Sequence, residues 1–366
     1  MGLTRRLTAL IAAAALALPA AAVFADPAPA RAPYPATLRI ASFDAELSRK
    51  GPGLLLRDIT QGKDAQVLAA AMVLAQVDAD VVLLTGFDWD HDLAALRAFA
   101  QLLGRSGVEY PHLFAARSNR GVPSGVDLDG DGRLSQAEDA QGWGRFTGQN
   151  ALALLSRVPL GEVVDYSAEL WRDQPGNLIG DSLAPQAAAV QLLSTTGHWD
   201  VTLLTEPPLH LLAFSATPPV FDGPEDRNGR RNHDEVAFWS RHLPDAPFVL
   251  AGNANLDPLD GDGRHQAIRA LLADPRLQDP QPRSAGGVQA ADPDHKGDPG
   301  LDTVDWPDGD PGNLRVTYLL PSQGLQVQGS GVVWPRPGAP LSKAVLAASP
   351  HRLVWLDLLL PDAAPR

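Results

Sequence analysis

The residues with the clearest chemical potential form an acidic loop of twelve residues, DLDGDGRLSQAE, at positions 127–138. Acidic side chains at its first, third, fifth and twelfth positions, with Gly at the sixth, follow the spacing of a calcium-binding loop. In such a loop the backbone carbonyl of the seventh residue is a further ligand. The ligands predicted on this basis are Asp127, Asp129, Asp131, Arg133 through its carbonyl, and Glu138.

A solvated acidic turn is the alternative interpretation of this loop. Residues 121–125 and 142–144 are rich in glycine, so the strong helices that usually flank a calcium loop are missing from the sequence. Four carboxylates on one short loop nevertheless repel each other unless a cation lies between them. We therefore predict bound Ca²⁺ with a structural role and not a catalytic one.

Two further acidic segments follow, DPLDGDG at 257–263 and DWPDGDPG at 305–312. Asp, Gly and Pro in these proportions are typical of ordinary turns, which is the interpretation that we favour for both segments.

The segment 222–235 is dense in charged residues. Arg227, Arg230 and Arg231 have the chemistry of a phosphate clamp. The favoured alternative is a salt-bridged loop that leads into a helix, with Asn232 as its N-cap and Glu235 three residues further on.

The composition limits the classes of function. The 366 residues are 45% apolar, enough to fill a core, and 43 acidic against 30 basic residues give a net charge of −13. Because no cationic surface compensates for this charge, long nucleic acid is an improbable ligand. The chain contains no cysteine, which excludes disulfides, thiolate metal sites and cysteine nucleophiles.

The first 25 residues have the pattern of a signal peptide, with Arg5 and Arg6 before an Ala/Leu-rich run and a small-x-Ala end at Ala25. A single-pass anchor is the rival interpretation. A Pro/Ala linker follows at 26–36, and one domain is predicted over 37–361. We predict export to the periplasm or the medium, and no membrane span after the signal is removed.

Short apolar runs alternate with helical patterns along this domain, which indicates an α/β or α+β sandwich. Helices are predicted at 64–76 and 233–241. Strands are predicted at 38–43, 81–87, 112–116, 151–156, 187–193, 210–214, 248–252, 314–320 and 353–359.

The ordered segments resemble the endonuclease/exonuclease/phosphatase family, the deoxyribonuclease-I-like fold, and most closely an exported bacterial branch of it. The segments that carry the resemblance are TLRIASFDAEL, ADVVLLTGFDWD, GQNALALLSRVPL, LHLLAFSATPP, FVLAGNANLDP, NLRVTYLLPS and ASPHRLVWLDLLL. The resemblance implies a four-layer sandwich of two packed β-sheets flanked by helices. It also implies phosphoester hydrolysis with Mg²⁺ or Mn²⁺, in which carboxylates hold the metal and an Asp activates water.

Most positions that the resemblance marks as catalytic carry another residue. Asp44 replaces a usual Asn, Gly86 a metal-binding Glu, and Ser215 a charge-stabilising His. Asn253 replaces the Asp that activates water, whereas Asn255 matches the phosphate-positioning Asn.

The last two segments continue this trend. Thr317 replaces the Asp that would orient the final His, and Pro350 replaces a metal-linked Asp, whereas His351 itself is retained. Asp88 and Asp90 are alternative carboxylates close to Gly86 in the sequence. Each retained polar residue also has an ordinary role open to it, such as capping a turn or lining the rim of the sheet.

Two hypotheses follow. In the favoured one, the fold is kept as a binding or scaffold module that is inactive or weakly active, and its unidentified ligand is a phosphate ester. In the alternative, an active phosphodiesterase, phosphatase or nuclease uses a metal site rebuilt from Asp44, Asp88, Asn253, Asn255 and His351, with Mg²⁺ or Mn²⁺ as cofactor.

Overall fold

A pair of β-sheets forms the centre of the protein in the computed structural model, which describes residues 37–307, 309 and 311–360. The strands in these ranges are β1 (Thr37–Leu47), β2 (Val81–Phe87), β3 (His112–Phe114), β4 (Ala151–Ser156), β5 (Leu160–Asp165), β6 (His198–Leu203), β7 (Leu209–Ser215), β8 (Phe248–Asn253), β9 (Thr317–Pro321), β10 (Gln326–Val332) and β11 (Val354–Leu359). The helices are α1 (Leu54–Gln61), α2 (Ala65–Val77), α3 (Ala94–Gly104), α4 (Pro185–Ala188), α5 (Arg227–His242), α6 (Gln266–Leu272), α7 (Ala285–Gln289) and α8 (Ser342–Ala348).

The first sheet has the strand order β10-β11-β1-β2-β4-β3, and the second has the order β5-β6-β7-β8-β9. β1 and β2 are parallel, as are β7 and β8, and the other paired strands are antiparallel. Each parallel pair brings the carboxyl ends of two strands to the same edge of its sheet.

Alternation along the strands explains the layers. Ile40 and Leu83 of the first sheet pack with Val249 of the second in one buried cluster between the sheets. Their neighbours, such as Phe43, point the other way and pack against helices α1, α2 and α3. A third cluster joins the outer face of the second sheet to α5 and α6. The predicted four-layer sandwich of two sheets flanked by helices, built around one core, is therefore confirmed.

Some predicted elements are wrong. The run at 187–193 is not a strand: residues 185–188 form α4, and Leu192 makes only an isolated bridge to Leu170. The predicted helix at 233–241 begins earlier, at Arg227, so Asn232 lies inside α5 and does not cap it. Strands β5, β6 and β10 were not predicted.

The predicted signal peptide (1–25) and linker (26–36) lie outside the described residues, as do Asp308 and Asp310. Within the described part of the chain, none of the helices has both the length and the apolar character needed to cross a bilayer.

Candidate functional site

Polar residues meet where the strands of the two parallel pairs end. Asp44 lies opposite Thr85 in the β1/β2 ladder, and Ser215 lies opposite Asn253 in the β7/β8 ladder. On its other side Asn253 pairs with Thr317, the first residue of β9. The positions that the sequence singled out on the two sheets therefore do converge, at one end of the sandwich.

A hydrogen bond joins the two sheets at this end. Asn253 Nδ2 donates to Asp44 Oδ2 over 2.8 Å, and Asn253 Oδ1 accepts from the backbone N–H of Asn255 over 2.8 Å. The side-chain amide of Asn255 in turn donates to the backbone carbonyl of Ala216. Asn253 is buried, and both ends of its side chain are engaged, so it holds Asp44 in place and has no basic atom with which to accept a proton from water.

Gly86 stands where the resemblance implies a metal-binding Glu, and the backbone there rejects a side chain. Its φ is +71°, a left-handed conformation that favours glycine. A Cβ atom at this position would lie 2.5 Å from Asp44 Oδ1 and 2.9 Å from the backbone nitrogen of Glu46. A Glu at position 86 therefore does not fit this backbone conformation, because atoms of β1 occupy the space that its side chain would need.

Glu46 is a carboxylate of this site that the sequence analysis missed. The register of β1 against β2 shifts between Asp44 and Leu47, and Glu46 has a φ of +46°. Its Oε1 lies 3.8 Å from His351 Nε2. Loss of hydration and the nearby charge of Asp44 raise the pKa of the Glu46 carboxyl to about 7. Because the bulge breaks the alternation of the strand, the sequence pattern gave no signal for this placement.

His351 is buried at the site without the partner that would orient it. Its Nδ1 has no hydrogen-bond partner in the described part of the chain, and neither does Thr317 Oγ1. Thr317 therefore does not replace the missing Asp through a hydrogen bond to the ring. Burial lowers the pKa of His351, although the charge of Asp44 opposes this effect. The rings of Trp306 and His351 pack in an edge-to-face arrangement, with their centroids 5.7 Å apart.

Ser349 attaches the segment that carries His351 to β1. Its hydroxyl donates to the carbonyl of Asp44 over 2.8 Å and accepts from the His351 N–H over 3.0 Å. Pro350, at the position of the metal-linked Asp, provides only its carbonyl, which accepts from the N–H of Asp305.

Arg120 is a second site residue that the sequence analysis missed. Its Nε donates to Thr196 Oγ1 over 3.1 Å, and its guanidinium is close enough to Asp44 and Glu235 for their charges to raise its pKa, against a larger lowering by burial. A partly desolvated guanidinium beside the site suits a phosphate group. It lies in an irregular loop, where no periodic pattern marks it.

Asp88 and Asp90 are used elsewhere. Asp88 is buried and accepts from Ser48 Oγ and from the backbone N–H groups of Arg49 and Asn150. Asp90 accepts from the first N–H groups of α3. The structure therefore gives both carboxylates the capping and loop-bracing roles that are common for Asp.

The charged segment 222–235 is a loop only as far as residue 226, because α5 begins at Arg227, and the arginines predicted as a phosphate clamp contact groups of the protein itself. Arg231 is buried and donates to backbone carbonyls, including that of Leu193, and Arg230 pairs with Asp181. Asn232 Nδ2 donates to the carbonyls of Thr217 and Ala254, each two residues or fewer beyond the end of β7 or β8. This part of α5 therefore holds the backbone behind the site.

Glu235 completes this support from the next turn of α5. Its two carboxylate oxygens accept from the N–H groups of Thr195 and Thr217, at 2.5 and 2.7 Å. Burial raises the pKa of Glu235, which the neighbouring Arg231 opposes.

The acidic loop brings together a different set of carboxylates from the predicted one. Oxygens of Asp127, Asp129 and Asp139 lie within 4.8 Å of one another, the one such group among the described residues. Asp139 is buried and accepts from the N–H groups of Leu128 and Gln136. Glu138, the predicted last ligand, instead accepts from the indole of Trp143. Of the other predicted ligands, Asp131 accepts from the N–H of Arg133 and from Gln136 Nε2.

Comparison with known proteins agrees with this fold. The sequence model of the Endonuclease/Exonuclease/phosphatase family matches residues 59–351. The chain therefore belongs to this family, whose members are generally dependent on a divalent metal. No curated protein matches it.

Solved structures are similar to this chain at low sequence identity, and the first of the two that follow shares its fold. An endonuclease/exonuclease/phosphatase from Beutenbergia cavernae is 17% identical, with a TM-score of 0.53 over 89% of this chain and 72% of the other. A family protein from Bacteroides thetaiotaomicron is 12% identical, with a TM-score of 0.49 over 90% and 97% of the two chains.

Proposed function

We propose that this protein is an exported member of its family that binds a phosphate ester and hydrolyses it slowly or not at all. The observation that carries this proposal is the hydrogen bond from Asn253 to Asp44. The amide of Asn253 lies at the position where catalysis requires a base. Its N–H group donates to Asp44, the carboxylate that would have to bind a metal.

The carboxylate oxygens of the site are still suitable ligands for one cation. Asp44 and Glu46 supply carboxylate oxygens, the ligands that Mg²⁺ and Mn²⁺ prefer, and His351 lies beside Glu46. Each oxygen of Asp44 already accepts one hydrogen bond, from Asn253 or from the N–H of Glu46. A metal bound there would neutralise a phosphate, and Arg120 would add a fixed positive charge.

A binding experiment tests this part of the proposal. Calorimetric titration with p-nitrophenyl phosphate in Mg²⁺ is expected to show binding that weakens about tenfold in Arg120→Gln, the loss of one charged hydrogen bond. Arg117→Gln is the matched control, because Arg117 is exposed and three residues away. Equal affinities in the two variants would exclude Arg120 from the ligand site.

An active hydrolase with a rebuilt metal site is the second candidate, and Glu46 is the observation that favours it. A carboxylate beside Asp44 and His351 restores the type of ligand that Gly86 lost. This candidate predicts metal-dependent turnover that Glu46→Gln abolishes. Our proposal predicts weakened Mn²⁺ binding in the same variant, whereas turnover by the native protein is already slow or absent.

We also propose that the loop 127–139 binds Ca²⁺ as a structural ion, through Asp127, Asp129 and Asp139. Calcium is then expected to raise the melting temperature, and Asp129→Asn to reduce that rise.

Export is proposed from the N-terminal sequence. Sequencing of the protein recovered from the periplasm or medium is expected to begin at Asp26.

A further inference from the structure

A second acidic region lies apart from the residues discussed so far. Residues of the segments 260–262 and 292–296, together with Gly309 and Pro311, line a cavity of about 240 Å³, and Asp302 lies behind its wall, with Oδ1 3.5 Å from His295 Nε2. The charged and titratable residues that line it are Asp260, Asp262, Asp292, Asp294, His295 and Lys296.

Three side-chain oxygens in this region are buried without a donor. Within the described part of the chain, no hydrogen bond reaches Asp302 Oδ2, Asp292 Oδ1 or Asn313 Oδ1. Asp302 and Asn313 are each only 1% exposed. A buried acceptor without a partner costs about 1–3 kcal/mol, and more when it is charged, so three in one place demand a partner.

Contacts along the chain place these residues together. The N–H of Asn313 donates to Asp292 Oδ2 over 2.7 Å, and the N–H of Thr303, next to Asp302, donates to the carbonyl of Leu314, next to Asn313. Asp302 and Asn313 therefore sit on neighbouring backbone segments, with Asp292 bound to one of them.

The positive charge available nearby is insufficient. His295 Nε2 lies 3.5 Å from Asp302 Oδ1 and 3.6 Å from Asp260 Oδ2, longer than good hydrogen bonds. Asp260 already accepts from the N–H groups of Lys296 and Gly297.

We propose that this region is a calcium-binding site, with Asp302, Asp292 and Asn313 as its ligands. Two carboxylates and an amide oxygen from separate loops match the oxygen-only, irregular coordination that Ca²⁺ accepts and Mg²⁺ does not. Among the described residues of this region, no three carboxylate or imidazole groups have ligand atoms within 4.8 Å of one another, so binding draws the side chains inward and ties the loops together.

Calcium titration of the purified, chelator-treated protein tests the proposal. The titration is carried out in an Asp129→Asn background, which removes a ligand of the 127–139 loop and isolates any second binding step. Adding Asp302→Asn, which preserves the side-chain shape, is expected to weaken calcium binding at least tenfold. Adding Asp245→Asn, the same charge change on an exposed residue, is expected to leave it unchanged.

Further measurements fix the interpretation. In the Asp129→Asn background calcium is expected to raise the melting temperature, and an equal concentration of Mg²⁺ is expected to raise it less. If Asp302→Asn does not fold, Asp292→Asn at the cavity wall is expected to show the same loss of affinity. Unchanged affinity in the folded variant, or no calcium binding in the Asp129→Asn background, would overturn the proposal.

Discussion

Asn253 Nδ2 lies 2.8 Å from Asp44 Oδ2, so the last residue of β8 and the end of β1 are tied together across the two sheets. The resemblance to the family implies Asn at position 44 and Asp at position 253, and this chain carries the two residue types the other way round. An Asp at position 253 would repel Asp44 unless a metal lay between them. The amide of Asn253 instead forms a hydrogen bond to Asp44, and it removes the base.

Gly86→Ala is expected to destabilise the protein more than glycine replacement at a comparable φ elsewhere. The new Cβ would collide with Asp44 Oδ1 and with the backbone of Glu46. The left-handed conformation costs about 1 kcal/mol when the residue has a side chain, and overpacking costs a further ~1–3 kcal/mol. Gly53→Ala is the control, because Gly53 has a φ of +73° with open space around it. Urea denaturation measures the free energy of unfolding of the two variants. Equal losses of stability in the two would refute the close packing at Gly86.

Asn232→Ala is expected to lower the free energy of unfolding by about 2–3 kcal/mol, although Ala favours a helix. The substitution leaves the carbonyls of Thr217 and Ala254 without their donor inside the protein. Asn228→Ala is the matched control on the same helix, since Asn228 donates to one carbonyl only and is less buried. A smaller loss at Asn232 than at Asn228 would contradict the bracing role of α5.

The protein is expected to lose stability in mild acid because of His198. Burial lowers the pKa of His198 to about 4, below its ordinary value of 6.5. The unfolded state therefore takes up a proton first, so the stability is fully present above pH 6.5 and is lost as the pH falls towards 4. Between pH 8 and pH 5 this group alone lowers the free energy of unfolding by roughly 2 kcal/mol.

Urea denaturation at the two pH values, compared with His198→Gln, measures this contribution. The variant keeps hydrogen-bonding capacity towards Ser194 and Glu235 but does not titrate. Its free energy of unfolding is expected to depend less on pH than that of the native chain. An identical pH dependence would show that His198 is not the group responsible.

The fold could be predicted largely from strand patterns. Continuous apolar runs such as 81–87 and 151–156 coincide with β2 and β4, because strands covered on both faces need apolar residues throughout. β5 at the sheet edge, with its exposed and charged residues, has no such signal. Residues 187–193 look like a strand by composition, yet Pro185 starts a helical turn there.

The site was predictable only in part. The positions of Asp44, Asn253 and His351 at strand ends follow from the order of the segments. The bulge that brings Glu46 beside His351 depends on the backbone at Gly86, which a side-chain pattern does not encode. The roles of Arg231, Asn232 and Glu235 could not be predicted, because their partners are backbone groups distant in sequence.

Hydrolysis of bis-p-nitrophenyl phosphate and p-nitrophenyl phosphate by the purified protein, in Mg²⁺ and in Mn²⁺, tests the central claim most directly. The comparison is with a variant that carries Asn253→Asp, Thr317→Asp and Pro350→Asp and keeps Gly86, where a side chain does not fit. We expect metal-dependent turnover by the native protein to be absent or much slower than turnover by the variant. Turnover by the native protein that is as fast as that of the variant, and that Asp44→Ala abolishes, would contradict the account.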